Sequence, residues 1–130
     1  MFWKKPKKKT DTVLFKKTVC NVPWNIRTQE IDCEVHYWGE IEDCIQDMFR
    51  DADEFVTLST GELCGSIRFV QACQERNGTG IIVELGLEEN DHTRLVERVC
   101  QSEEECLAIF EEFYQTGNVK DWKDYSPVEF

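Results

Sequence analysis

Long apolar runs are missing from this 130-residue chain, and no stretch approaches the roughly 18 residues that a membrane-spanning helix needs. Met1-Phe2-Trp3-Lys4-Lys5 is basic but is followed by no apolar core, which does not match a secretory signal. Histidine occurs only at positions 36 and 92, and no Cys-x-x-Cys pair is present, so the usual spacings of a zinc site are absent. The nearest cysteine pair, Cys100 and Cys106, straddles a predicted strand-to-helix junction. A glycine-rich phosphate loop is also lacking, because Gly78-Thr79-Gly80 falls in a predicted hairpin rather than between a strand and a helix. Neither an internal repeat nor a low-complexity segment beyond a short lysine run is visible. These absences predict a cytoplasmic protein with no transmembrane segment, no metal and no cofactor.

Cysteine itself is plentiful at seven residues, but the number is odd, and Cys44, Cys73 and Cys106 occupy positions where a small core residue is expected. They read as reduced thiols. A cysteine nucleophile would need His36 or His92 to approach Cys64 or Cys100 in the fold. Both histidines fall at polar positions, one on a strand's polar face and one in a turn, which suits solvated side chains. Carboxylate pairs (Glu88 with Glu89, Glu103 to Glu105, Glu111 with Glu112) are what so acidic a chain produces on solvated faces and at a helix N-terminus.

Charge is divided unevenly along the chain. Residues 1–17 hold seven lysines against Asp11, a net +6, which leaves residues 18–130 at net -17 within a total of -11. A body of that charge repels phosphate backbones and attracts basic proteins, so nucleic acid is not expected at the acidic body. Residues 1–11, Lys-rich and interrupted by Pro6, read as a mobile arm. Its functional alternative is contact with a membrane surface or nucleic acid.

The remainder, 12–130, reads as a single α+β domain. Thr12 to Val22 is β-branched and loosely alternating, an edge strand ended by Pro23. Ile31 to Trp38 predicts a second strand with Ile31, Cys33, Val35 and Tyr37 on one face, broken by Gly39. From Glu40 to Arg50, Ile41, Cys44, Ile45, Met48 and Phe49 form a helical stripe. Phe55 to Leu58 begins a strand, Ser66 to Cys73 and Ile81 to Leu87 alternate as a hairpin around Asn77-Gly78-Thr79-Gly80, and Thr93 to Cys100 returns after a turn over Glu88 to Asp91. Ser102 and Glu105 stand at capping-box spacing before a helix whose stripe is Cys106, Ile109, Phe110, Phe113 and Tyr114, with Gly117 as its left-handed cap. The predicted order is β-β-α-β-β-β-β-α, two helices against one mainly antiparallel sheet of five to six strands. Glu84, inside the most apolar strand, predicts a structural ion pair with Arg68 on the neighbouring strand. Trp122, Tyr125, Pro127 and Phe130 in the tail predict rings folded back over the core, with partner binding as the alternative.

Taken together, the helix Ile41 to Phe49, the strands Phe55-Val56-Thr57-Leu58, Ile67-Arg68-Phe69-Val70-Gln71 and Ile82-Val83-Glu84, the helix ending near Phe113 and the Trp122 tail resemble small bacterial immunity proteins of polymorphic toxin systems. The resemblance covers about two thirds of the chain, from Glu40 onward, and residues 1–30 have no counterpart in it. It implies a non-enzymatic cytosolic antidote that binds a toxin domain, often by presenting acidic groups to a basic cleft. On the acidic character of the body, the candidate partner contacts are Glu42, Asp43, Asp47 and Asp51 on the first helix and its exit, and Glu88, Glu89 and Asp91 in the turn between strands. The alternatives are a small cytosolic enzyme using a cysteine or carboxylate, and an adaptor working through the basic N-terminal arm.

Overall fold

The computed structural model describes residues 23–50, 55–63, 65–74 and 80–128. The Lys-rich arm, the strand expected over Thr12 to Val22, Asp51, Cys64, the Asn77-Gly78-Thr79 turn and Phe130 lie outside the described residues. Seven antiparallel strands form one sheet: β1 (Trp24–Arg27), β2 (Asp32–Glu34), β3 (Phe55–Thr60), β4 (Ile67–Gln74), β5 (Ile81–Glu89), β6 (His92–Cys100) and β7 (Ser126–Pro127), in the spatial order β2-β1-β3-β4-β5-β6-β7. Among the described residues two helices, α1 (Trp38–Arg50) and α2 (Glu103–Thr116), join the sheet in an α+β architecture, in the predicted order. No helix among the described residues is long and apolar enough to cross a membrane.

Both helices pack on the same side of the sheet, α1 against β3 and α2 against β4 and β6, and they also pack on each other. The alternation of the strands follows from this one-sided cover. Ile81, Val83, Leu85 and Leu87 of β5, Val56 and Leu58 of β3, and Val70 and Ala72 of β4 are buried beneath the helices. From above, Ile41, Ile45 and Met48 of α1 and Cys106, Phe110 and Phe113 of α2 close the core. Trp24 at the start of β1 meets the Phe113 ring edge to face, with centroids 5.0 Å apart, and so ties the sheet's first strand to α2.

Helix α2 begins and ends as its sequence predicts. The Glu105 N–H donates to Ser102 Oγ at 3.1 Å, the Glu105 carboxylate accepts from the N–H of Gln101 at 3.2 Å, and Gly117 closes the helix at φ 75° with its N–H on Phe113 O at 2.7 Å. Helix α1 begins two residues earlier than its apolar stripe suggests. The Glu40 carboxylate accepts the N–H groups of His36 (2.6 Å) and Tyr37 (3.3 Å), so the chain is already turning where a strand was expected. The predicted strand Ile31 to Trp38 is therefore only Asp32–Glu34, and its expected apolar face does not exist: Ile31 and Tyr37 are 42% and 44% exposed, while Val35 and Trp38 are buried.

Two further corrections concern a hairpin turn and the strand count. Strand β5 runs on to Glu89, so the expected turn over Glu88 to Asp91 contracts to Asn90-Asp91, both with left-handed backbones (φ 48° and 71°). That is the conformation a two-residue hairpin requires, and Asn and Asp tolerate it. The tail adds β7 after a single 3-10 turn at Trp122–Asp124, and β1 forms at Trp24–Arg27, just past Pro23 where the expected first strand ends, so the sheet has seven strands among the described residues against the predicted five to six. Two of its four rings fold back, Tyr125 buried and Trp122 half-buried against the core, while Pro127 is exposed.

Candidate interaction surface

The seven predicted contact residues do not share one surface. Glu42, Asp43 and Asp47 lie on α1, on the helix side of the sheet, and Asp51 is outside the described residues. Asp47 accepts from Arg50 Nη1 at 2.7 Å, while the Asp43 carboxyl is raised above its ordinary range by partial burial and by the charge of Asp47. Glu88 alternates to the other side of the sheet, where Arg68 Nε donates to it at 3.3 Å and the Thr93 hydroxyl also donates. Glu89 takes two parallel hydrogen bonds from Arg94, at 3.0 and 3.1 Å, which hold its carboxyl below the usual carboxylate range. Asp91 sits exposed at the hairpin tip.

Arg68 is thus committed to Glu88, and the ion pair expected between Arg68 and Glu84 is not formed. Glu84 instead accepts from Gln71 Nε2 at 3.3 Å, and Gln71 Oε1 in turn accepts from the Thr57 hydroxyl at 2.6 Å. Across β5 and β6, Glu84 faces Glu97 directly in register. Two carboxylates opposite each other on one sheet face repel, and among the described residues no ion pair engages either of them. The Glu84 carboxyl is accordingly raised above its ordinary value, first by burial and then by Glu97.

This pair belongs to a larger pattern on the side of the sheet that neither helix covers. The register aligns Asp32, Arg27, Thr57, Gln71, Glu84, Glu97 and Ser126 in one polar row across all seven strands. Apolar side chains flank it. On one side run Asn25, Ser59, Phe69, Gly86 and Leu95, polar on β1 and β3 and apolar from β4 onward. On the other run Phe55, Cys73, Ile82 and Val99, ending with Val99 39% exposed. Charge is uneven along the row: Arg27, its guanidinium 6.0 Å from the Phe55 ring centre, stands opposite Asp32 at one end, and Glu84 and Glu97 stand side by side toward the other.

At the carboxylate end the row runs into an open depression of about 420 Å³ lined by Glu97, Arg98, Val99, Asp121, Asp124 and Ser126. Arg98 there bridges two elements, bonding Glu105 at the start of α2 (3.2 Å) and Asp121 before the 3-10 turn (2.9 Å). Among the described residues no group of three His, Cys, Asp or Glu side chains is placed to hold a metal ion. Burial pushes the Cys44 thiol up to about 11 and the Cys100 thiol up to about 12, and raises those of Cys73 and Cys106 as well. Thiols held neutral in this way are poor nucleophiles at neutral pH. Where this surface is chemically competent is in recognition, since it combines a patterned polar row, flanking apolar side chains and a fixed backbone.

Comparison of the chain with protein-family models, curated proteins and solved structures gives no match.

Proposed function

We propose that this chain is a non-enzymatic protein-binding module, an immunity-type inhibitor that neutralises a cognate toxin in the cytoplasm through an acidic surface. The observation that carries the reading is the net charge of -17 over residues 18–130. Such a field speeds encounter with a basic partner and favours its docking on unneutralised carboxylates. On this reading the outer face of α1 is the first candidate contact, because Asp43 and Asp47 stand together there with a single arginine, Arg50. The hairpin residues Glu88 and Glu89 are already engaged by Arg68 and Arg94, and serve the fold before they serve a partner. The neutral state of Cys44, Cys73, Cys100 and Cys106 supports a binding role over a cysteine-based enzyme.

The test is calorimetric titration of the full chain against the protein encoded by the neighbouring gene. Tight binding that weakens about tenfold or more between low and high salt, and in the variant Asp43→Lys, is the expected result. Absence of binding at low salt, or a single thiol that reacts much faster than model thiols at neutral pH, would overturn the reading.

A further inference from the structure

The polar row has a property that its members do not have singly: reversed end for end, it becomes complementary to itself. Strand β4 is the middle of the seven strands. A twofold axis parallel to it, above the uncovered face, would lay β3 over β5 and β1 over β6 of a second copy while keeping the row at its own level. Arg27 would then meet Glu97 of the second copy, and Thr57 would meet its Glu84. Gln71 would meet its own equivalent on the axis. The apolar rows behave in the same way, because Phe55 would lie over Ile82 of the second copy and Phe69 over its equivalent. An isologous interface requires this self-complementarity, and the reversal satisfies it for charge at Arg27 and Glu97 and for apolarity around Phe55, Ile82 and Phe69, while Leu95 would meet Asn25.

We infer that the sheet face left open by the described residues is a homodimer interface, closed by two symmetry-related Arg27–Glu97 contacts and by Phe55, Phe69 and Ile82 beside the polar row. Sheets packed face to face keep their strands within about 30° of each other at a separation of about 10 Å, which matches an axis running along a strand. Seven strands at about 4.8 Å spacing and central strands about 20 Å or more long present roughly 600 Å² in projection. That is near the accessible area of about 800 Å² per partner that standard interfaces bury. The arrangement also gives Glu97, which has no ion-pair partner among the described residues, a guanidinium. It leaves Asp43 and Asp47 of α1 on the opposite side of the sheet, so it is independent of the inhibitory contact proposed there.

The experiment is sedimentation velocity of the full chain over a concentration series at physiological salt, with three variants. The parent is expected to be a dimer. Arg27→Glu and Glu97→Arg should each weaken the dimer about tenfold or more, since each sets like charges against each other across the axis. Combining the two should restore the affinity to within about threefold, which loss of folding cannot mimic. Glu97→Arg places a cation opposite Glu84 within the same chain, so its thermal midpoint, read in dilute solution, should not fall. A parent that stays monomeric, a dimer indifferent to both single variants, or one disrupted equally by Asp43→Lys on α1 would overturn the inference.

Discussion

The two faces of the sheet are built from the same strands, residue by residue in alternation, yet they obey different rules. Beneath the helices the side chains are Ile, Val, Leu, Ala and aromatic, almost all excluded from water. On the opposite face the same strands present a polar row flanked by the rings and aliphatic side chains of Phe55, Ile82, Phe69 and Leu95, and most of its side chains are only half-buried. The first face is specified by volume, the second by order. A buried face tolerates exchange among residues of similar size, whereas a patterned face loses its meaning when one charge is moved.

The contrast can be broken most sharply by truncating one ring on each side. Phe110→Ala, in the fully buried stripe of α2, should cost about 3–5 kcal/mol by urea denaturation, while Phe69→Ala on the uncovered face should cost well under half of that. Equal losses would mean that the two faces are equally buried. Gly86 tests the uncovered face from beneath, because a β-carbon there would come within 2.2 Å of the Phe69 ring. Gly86→Ala should destabilise by about 1–3 kcal/mol, and most of that cost should disappear in the background of Phe69→Ala, giving a large coupling in a double-mutant cycle.

Two smaller effects sharpen the picture. Ser102→Ala removes the acceptor of the Glu105 N–H at the start of α2 and should cost about 1 kcal/mol, visible as a lowered denaturation midpoint with unchanged slope. Glu84→Gln should do the opposite and stabilise by roughly 0.2–1 kcal/mol at neutral pH in dilute solution, because it removes a like-charge cross-strand pair. The pH dependence fixes the sign. A carboxyl whose folded pKa is raised carries no penalty when protonated in both states, and it costs stability as the pH climbs through the folded value. The advantage of Glu84→Gln should therefore fade on acidification below the carboxylate range, and a gain that persisted there would have another origin.

Much of the covered face is legible in the sequence, since Ile81, Val83, Leu85 and Leu87 follow period two, and the stripes of α1 and α2 follow the helical period. The caps of α2 are legible for the same reason, being local rules read from Ser102, Glu105 and Gly117. What escapes is anything set by register or by where a periodicity stops. Ile31 to Trp38 alternates as a strand should, but alternation cannot reveal that Glu40 captures the N–H groups of His36 and Tyr37 and starts a helix. Ser126–Pro127 is too short to show a period at all. The Glu84–Glu97 pair was within reach: taking Asn90-Asp91 as a two-residue turn, rather than Glu88 to Asp91 as a longer one, sets the two glutamates opposite each other. The Arg68 assignment fails for a separate reason, because the register of β4 on β5 sets Gln71, not Arg68, opposite Glu84.

Phe69 lies across Gly86, where the neighbouring strand has no side chain to push it upward. The ring is laid down like a tile, and the middle of the uncovered face is levelled by it. A levelled surface sorts its visitors by shape before charge is consulted: another broad, flat sheet can come close over its whole extent, while a protruding loop touches at one point and is held by little.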